Sequence, residues 1–178
     1  MGNQDSATPT AATSMRLLRN QLTQPRPTNP EATRRATRVH GAPVVDLGLL
    51  DHLEETRTEL IAATRRANPN AGPAPVDEGI YAWSDAATAH LQPGERQARD
   101  VVAHRQALEH ALRVGDERVI RQERCPGCRC YSLMWRGTIE RAVCIQARCR
   151  DEIGRASQWE LKQVAHHHVT SRPQRAAN

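Results

Sequence analysis

The sequence predicts an α+β chain: a small helical bundle, then a hairpin module bounded by cysteines, then one more helix. Two observations carry this. From Leu47 to Val114, apolar side chains recur at three- and four-residue steps, the period of a helix. All five cysteines then fall within residues 125–149, around a stretch of alternating apolar and polar residues that reads as a hairpin. At 178 residues the chain has room for one ordinary domain with a small appendage.

Residues 1–42 are rich in Thr, Pro, Ala and Asn and poor in large apolar groups. They read as a mostly disordered basic tail, because they bury too little to offset chain entropy. A short helix around Thr13–Leu22 fits within it, ended by Pro25, Pro27 and Pro30. An acidic helical bundle is expected over 43–117. Its first helix has the stripe Leu47, Leu50, Leu53, Arg57, Leu60, Ile61 and Thr64, with Asp46 as cap. Asn68-Pro69-Asn70-Ala71-Gly72-Pro73 breaks it.

A second helix is expected to open at Pro75, with Asp77 and Glu78 in its first turn and a stripe of Val76, Ile80, Trp83, Ala87 and Leu91. Gln92-Pro93-Gly94 makes a corner. A third helix runs from about Glu95 to Val114, burying Ala98, Val101, Val102, Leu108, Ala111 and Leu112, and Gly115 stops it. Helices two and three also fit a helix-turn-helix reading carried by Arg96, Arg99 and Arg105, which Asp100 and Glu109 dilute. His104 and His110 share no face and are assigned no chemistry.

The cysteine module with its closing helix is expected over 118–170, ahead of a frayed tail at 171–178. Arg118–Glu123 reads as a strand. Tyr131–Arg136 alternates, with Tyr131, Leu133 and Trp135 on one face; Gly137-Thr138 turns, and Arg141–Ile145 returns. Ser157-Gln158-Trp159-Glu160 has the capping-box pattern of a last helix from about Gln158 to Val169, burying Leu161, Val164 and Ala165.

Cys125-x2-Cys128 and Cys144-x4-Cys149 are two close pairs separated by a hairpin-sized insert, the spacing of a zinc ribbon. Four thiolates on tight turns suit one structural Zn²⁺ in a closed tetrahedron, which leaves no open position for catalysis. An iron–sulfur cluster and simple buried thiols are the alternatives. Cys130 is read as a spare thiol. His166-His167-His168 cannot converge on one ion, because consecutive helical residues diverge, so these side chains are read as solvent-exposed at a helix end.

Charge adds a second theme. The net charge is +4 over residues 1–42, −6 over 43–117, +6 over 118–150 and +1 over 151–178. A Zn²⁺–tetrathiolate centre would lower the module to roughly +4. Arg124, Arg129, Arg136, Arg141, Arg148 and Arg150 are therefore the candidate phosphate-contacting surface, with a plainly solvated face as the alternative. Tyr131 and Trp135 could stack on unpaired bases, although core packing is the ordinary role of Trp135 and Trp159.

No apolar run approaches the roughly 20 residues of a membrane span, and no secretory h-region opens the chain. A cytoplasmic protein without a membrane partner is expected. There is no phosphate-cradling glycine loop and no nucleophile elbow, so neither an enzyme activity nor a small-molecule substrate is expected.

From Leu49 to Val169 the chain resembles a family of small proteins of streptomycetes, related actinobacteria and their phages. The resemblance rests on residues 67–83, from Ala67-Asn68-Pro69 to Tyr81-Ala82-Trp83, on the Cys125-Pro126-Gly127-Cys128 knuckle and on Trp159-Glu160-Leu161. It implies helices followed by a zinc ribbon and implies no activity. Arg129 departs from the glycine usual in such knuckles. The function expected is a non-enzymatic regulatory or adaptor protein that binds nucleic acid or the transcription machinery. The alternative is a protein-interaction or phage structural component in which zinc only stiffens the fold.

Overall fold

The computed structural model describes residues 11–23, 47–76 and 79–171. The expected Asp46 cap, the first-turn acids Asp77 and Glu78, the remainder of the N-terminal tail and residues 172–178 lie outside the described residues. The chain is α+β, in the order α1 (Ala11–Thr23), α2 (Leu47–Ala67), α3 (Ile80–Thr88), α4 (Pro93–Arg113), α5 (Arg118–Arg121), β1 (Leu133–Arg136), β2 (Arg141–Cys144), β3 (Gln158–Trp159) and α6 (Leu161–Ser171). The strands form one antiparallel sheet, ordered β1-β2-β3.

The short helix expected around Thr13–Leu22 is present as α1, and it is packed into the bundle. Met15 and Leu18 sit one helical turn apart and both enter the bundle core, Leu18 at 1% exposure. They join Leu49, Leu53, Leu60, Ile80 and Tyr81 there. The buried face of α2 is Leu49, His52, Leu53, Thr56, Leu60, Ala63 and Thr64. This corrects the expected stripe, because Leu47 (69% exposed) and Leu50 face solvent. The helix is turned to place small and polar groups against its neighbours. Thr64 Oγ1 lies 2.7 Å from Ser84 Oγ of α3. Asn68 Nδ2 donates to the Ala87 carbonyl at 2.7 Å.

α3 begins at Ile80, five residues later than expected. Pro75 and Val76 lie outside any helix instead; the Arg57 Nε of α2 donates to the Pro75 carbonyl at 3.3 Å and Val76 is exposed. The core face of α3 is Ile80, Tyr81, Ser84 and Thr88.

Polar groups knit this bundle, and no Phe is present to fill it. Tyr81 OH donates to Gln106 Oε1 at 3.0 Å, and Gln106 Nε2 donates to the Thr56 carbonyl at 2.9 Å. His110 is fully buried, edge-on to His52 at 5.2 Å and to Tyr81 at 6.3 Å. Burial, then the nearby Arg113 and Arg105, lower the His52 imidazole to about 4. Arg99 of α4 is buried against α3. It donates to Asp85 Oδ1 at 2.7 Å and to the Ser84 carbonyl at 3.1 Å.

α4 starts at Pro93, where the Glu95 carboxylate accepts the Gln92 N–H at 2.8 Å. It ends in a Schellman turn. Asp116 N donates to the Ala111 carbonyl at 2.9 Å, Gly115 N donates to the Leu112 carbonyl at 3.0 Å, and Gly115 adopts φ +84°. The lower half of α4 then enters a second core. Leu108 and Ala111 pack with Val119, Ile120, Leu133, Ala142, Val164 and three of the cysteines.

Arg118–Glu123 is not a strand. Val119 and Ile120 are adjacent and both buried, which an extended strand with one buried face cannot achieve. A single helical turn, α5, points both inward, and Asp116 Oδ1 accepts the Arg118 N–H at 3.1 Å at its start. At the C-terminal end, Gln158 and Trp159 form β3 beside β2 rather than opening the last helix. A one-sided cap lies three residues further on, where Gln163 Oε1 accepts the Glu160 N–H at 2.9 Å. Among the described residues, no helix is long and apolar enough to cross a membrane.

Candidate metal centre

Cys125 and Cys128 lie on the turn after α5, Cys144 ends β2, and Cys149 follows a four-residue turn closed by its own N–H on the Gln146 carbonyl at 2.9 Å. The four sulfurs converge, all within 4.8 Å of one another. Cys125 Sγ is 3.7 Å from Cys149 Sγ, and Cys128 Sγ is 3.7 Å from Cys144 Sγ. Four sulfurs at the ~2.3 Å zinc–thiolate distance in a tetrahedron lie ~3.8 Å apart. The spacing fits one metal ion at the centre. It does not suit a multi-iron cluster, whose ligands bind different irons. No two cysteines are joined in a disulfide.

The local backbone explains the convergence. Arg129 N donates to the Cys125 carbonyl at 2.8 Å and Cys125 N to the Cys130 carbonyl at 2.9 Å, closing the knuckle. A Cβ on Gly127 would lie 3.3 Å from Cys149 Sγ and 3.2 Å from Trp159 Cζ2, so only glycine lets the two loops approach without displacement. β1 and β2 pair Leu133 with Cys144 and Trp135 with Ala142, which sets Cys144 beside the knuckle.

Hydroxyls support the sulfurs. Ser132 Oγ lies 3.1 Å from Cys144 Sγ, and Ser157 Oγ lies 3.4 Å from Cys149 Sγ. Burial raises the Cys125 thiol, while the Cys130 amide draws Cys128 down, to about 6. A buried set of this kind does not hold four thiolates together without a cation at its centre. Cys130 is exposed and outside the set. The wide second spacer leads into a small loop the sequence did not suggest. Asp151 Oδ1 accepts the N–H groups of Ile153 and Arg155 at 3.1 and 2.8 Å, and the loop delivers Ser157 and β3 to the site.

The candidate phosphate contacts divide. Arg124, Arg129, Arg136, Arg148 and Arg150 are exposed, and none lies within ion-pair distance of a carboxylate among the described residues. Arg141 differs: it is half-buried and paired with Glu160 at 2.8 Å. Arg124 stacks over the exposed Tyr131 ring, 4.9 Å from its centroid. Trp135 and Trp159 pack against the metal-side core, their ordinary role.

The arginines behind the helix-turn-helix alternative are engaged inside the molecule. Arg99 binds α3, Arg105 meets Glu59 and Glu109, and Arg96 pairs with Asp100 at 3.5 Å.

A second cluster was not foreseen. Glu123 is buried, with Oε1 3.0 Å from His104 Nε2 and Oε2 2.6 Å from His168 Nδ1. The two imidazoles stack, centroids 3.7 Å apart. Burial alone would raise the Glu123 carboxyl. Hydrogen bonds from both histidines outweigh it and hold Glu123 at about 2. The expectation of an exposed histidine run therefore holds for His166 but not for His168, which turns inward. One signal did exist: Glu123 is the only acid between Arg118 and Ile139.

Comparison with protein-family models, with curated proteins and with solved structures finds no match to this chain.

Proposed function

We propose that the four cysteines hold one structural Zn²⁺ and that the arginine-bearing loops around it contact nucleic-acid phosphates, making the protein a non-enzymatic, nucleic-acid-binding or transcription-associated adaptor. One observation carries this reading. Arg124, Arg129, Arg136 and Arg148 project from the metal-bearing module with no carboxylate partner among the described residues. Arginine is suited to phosphate because its planar fork donates to two oxygens together. The ion contributes geometry: it pins the loops that carry Arg124, Arg129 and Arg148 to one small frame. Arg141 leaves the set, since Glu160 already occupies it.

A second reading has its own support. Tyr131, Ile145 and Ile153 are large apolar side chains exposed on the same module, which favours a protein partner with an acidic surface.

Fluorescence anisotropy with single- and double-stranded DNA and RNA, over a salt series, tests the first reading. Binding is expected to weaken steeply with salt, and R124E/R148E to flatten the slope of log K on log salt by about 2. Absence of binding to every probe at low salt, with one protein partner retained through nuclease treatment, would establish the second reading instead.

A further inference from the structure

We propose that His104, Glu123 and His168 form a second metal-binding site, distinct from the cysteine set and suited to a divalent ion that takes nitrogen and oxygen ligands. Three separate elements supply it: His104 from the middle of α4, Glu123 from the turn after α5, and His168 from the last turns of α6. The three ligand atoms lie within 4.8 Å of one another. Nitrogen and oxygen ligands bound at about 2.0–2.2 Å to one ion sit roughly 3 Å apart. The His104 Nε2–Glu123 Oε1 distance is already 3.0 Å. The His168 Nδ1–Glu123 Oε2 pair, at 2.6 Å, needs to open by only a few tenths of an ångström.

The electrostatics favour a cation here. Glu123 is 4% exposed, and among the described residues neither Arg nor Lys lies within ion-pair distance of it. A buried carboxylate needs positive charge or hydrogen-bond donors beside it, and here the two imidazoles stand where such a group must be. Each imidazole nitrogen lies within hydrogen-bond distance of one carboxylate oxygen, and an ion between the three groups would take the place of those two contacts.

The rings stack 23° from parallel, so binding one ion in the plane of both requires one imidazole to swing out of the stack while keeping its nitrogen beside the carboxylate. The side chains of His104 and His168 are 20% and 22% exposed, so water reaches the edge of the site and completes the coordination. Two imidazoles and one carboxylate suit Zn²⁺ and its transition-metal neighbours. Ca²⁺ and Mg²⁺ prefer all-oxygen surroundings. Only His168 of the histidine run takes part, because His166 is exposed on another side of the helix.

Cobalt(II) titration of the full chain separates the two sites. Thiolate-to-cobalt charge transfer is expected to saturate at the first equivalent. A second equivalent is expected to add only weak visible bands, for two ions per chain. H104Q and H168Q are each expected to reduce the count from two to one and leave the charge-transfer band intact.

Imidazole ¹⁵N spectra of the zinc-loaded wild type give a readout that needs no variant. The His104 Nε2 and His168 Nδ1 resonances are expected to shift with the second equivalent. Saturation at one ion per chain overturns the proposal. So does a second equivalent that leaves both resonances in place, or one that persists in both histidine variants.

Discussion

Arg129 holds φ at +62°, in the left-handed region where a Cβ crowds the following carbonyl. Its N–H closes the knuckle on the Cys125 carbonyl, so the conformation is imposed by the turn that gathers the ligands. A non-glycine residue there costs roughly 1–2 kcal/mol. Glycine would remove that strain but give back roughly 0.5–1 kcal/mol in unfolded-chain entropy. Arg129→Gly is therefore expected to stabilise the metal-loaded protein by about 0.5–1 kcal/mol, read as a raised melting temperature. The same variant is expected to bind nucleic acid more weakly. A raised melting temperature with unchanged binding would remove Arg129 from the contact surface. The departure from glycine was visible in the sequence; the positive φ that gives it meaning was not. Arg141 is the converse case. By composition it matched its arginine neighbours, and only the return of the chain through β3 brings Glu160 to it.

Elements with strong local periodicity were legible: α2, α4 and the β1–β2 hairpin lie close to where the sequence puts them, and the cysteine spacing located the metal set. Elements defined by distant partners were not. β3 is two residues long and exists because β2 offers an edge, which no local pattern encodes. α5 is one turn whose helical form depends on burying Val119 and Ile120 together. α1 was partly visible as a short helix, but its polar flanks concealed its packing. Its anchoring rests on Met15 and Leu18, which reach α2, α3 and α4 across a long connection. Burial of a leucine side chain contributes about 1.5–3 kcal/mol, and truncating it adds a cavity cost. Leu18→Ala is accordingly expected to destabilise the bundle by about 2–4 kcal/mol in urea denaturation, while the exposed neighbour Leu17→Ala changes it by less than about 0.5 kcal/mol. Equal, small effects from both would show that α1 does not contribute to the core in solution.

The two cores share one helix, so an ion held by the four cysteines would bear on the whole molecule. The upper part of α4 closes the bundle through Arg99 and Gln106; its lower part packs Leu108 and Ala111 against the metal-side core. α6 lies along the same helix and joins it again through His168, Glu123 and His104. The sheet is too small to hold its loops by apolar burial, and structural zinc in small domains contributes an apparent ~10–16 kcal/mol. Without an ion the cysteines would be thiols set among Val119, Ile120, Leu133 and Val164. Chelation should then release β1–β3 first and loosen α6 with them. The bundle should persist, because Leu18, Leu53, Leu60 and Ile80 have no contact role at the metal. Hydrogen exchange with and without a strong chelator checks this. Amides of β1, β2 and α6 should lose protection by orders of magnitude, amides of α2 should keep most of theirs, and the lower turns of α4 should fall between. Uniform loss across α2 and the strands would mean instead that α4 transmits the metal's contribution to both cores, and that the chain folds as a single cooperative unit around its cysteines.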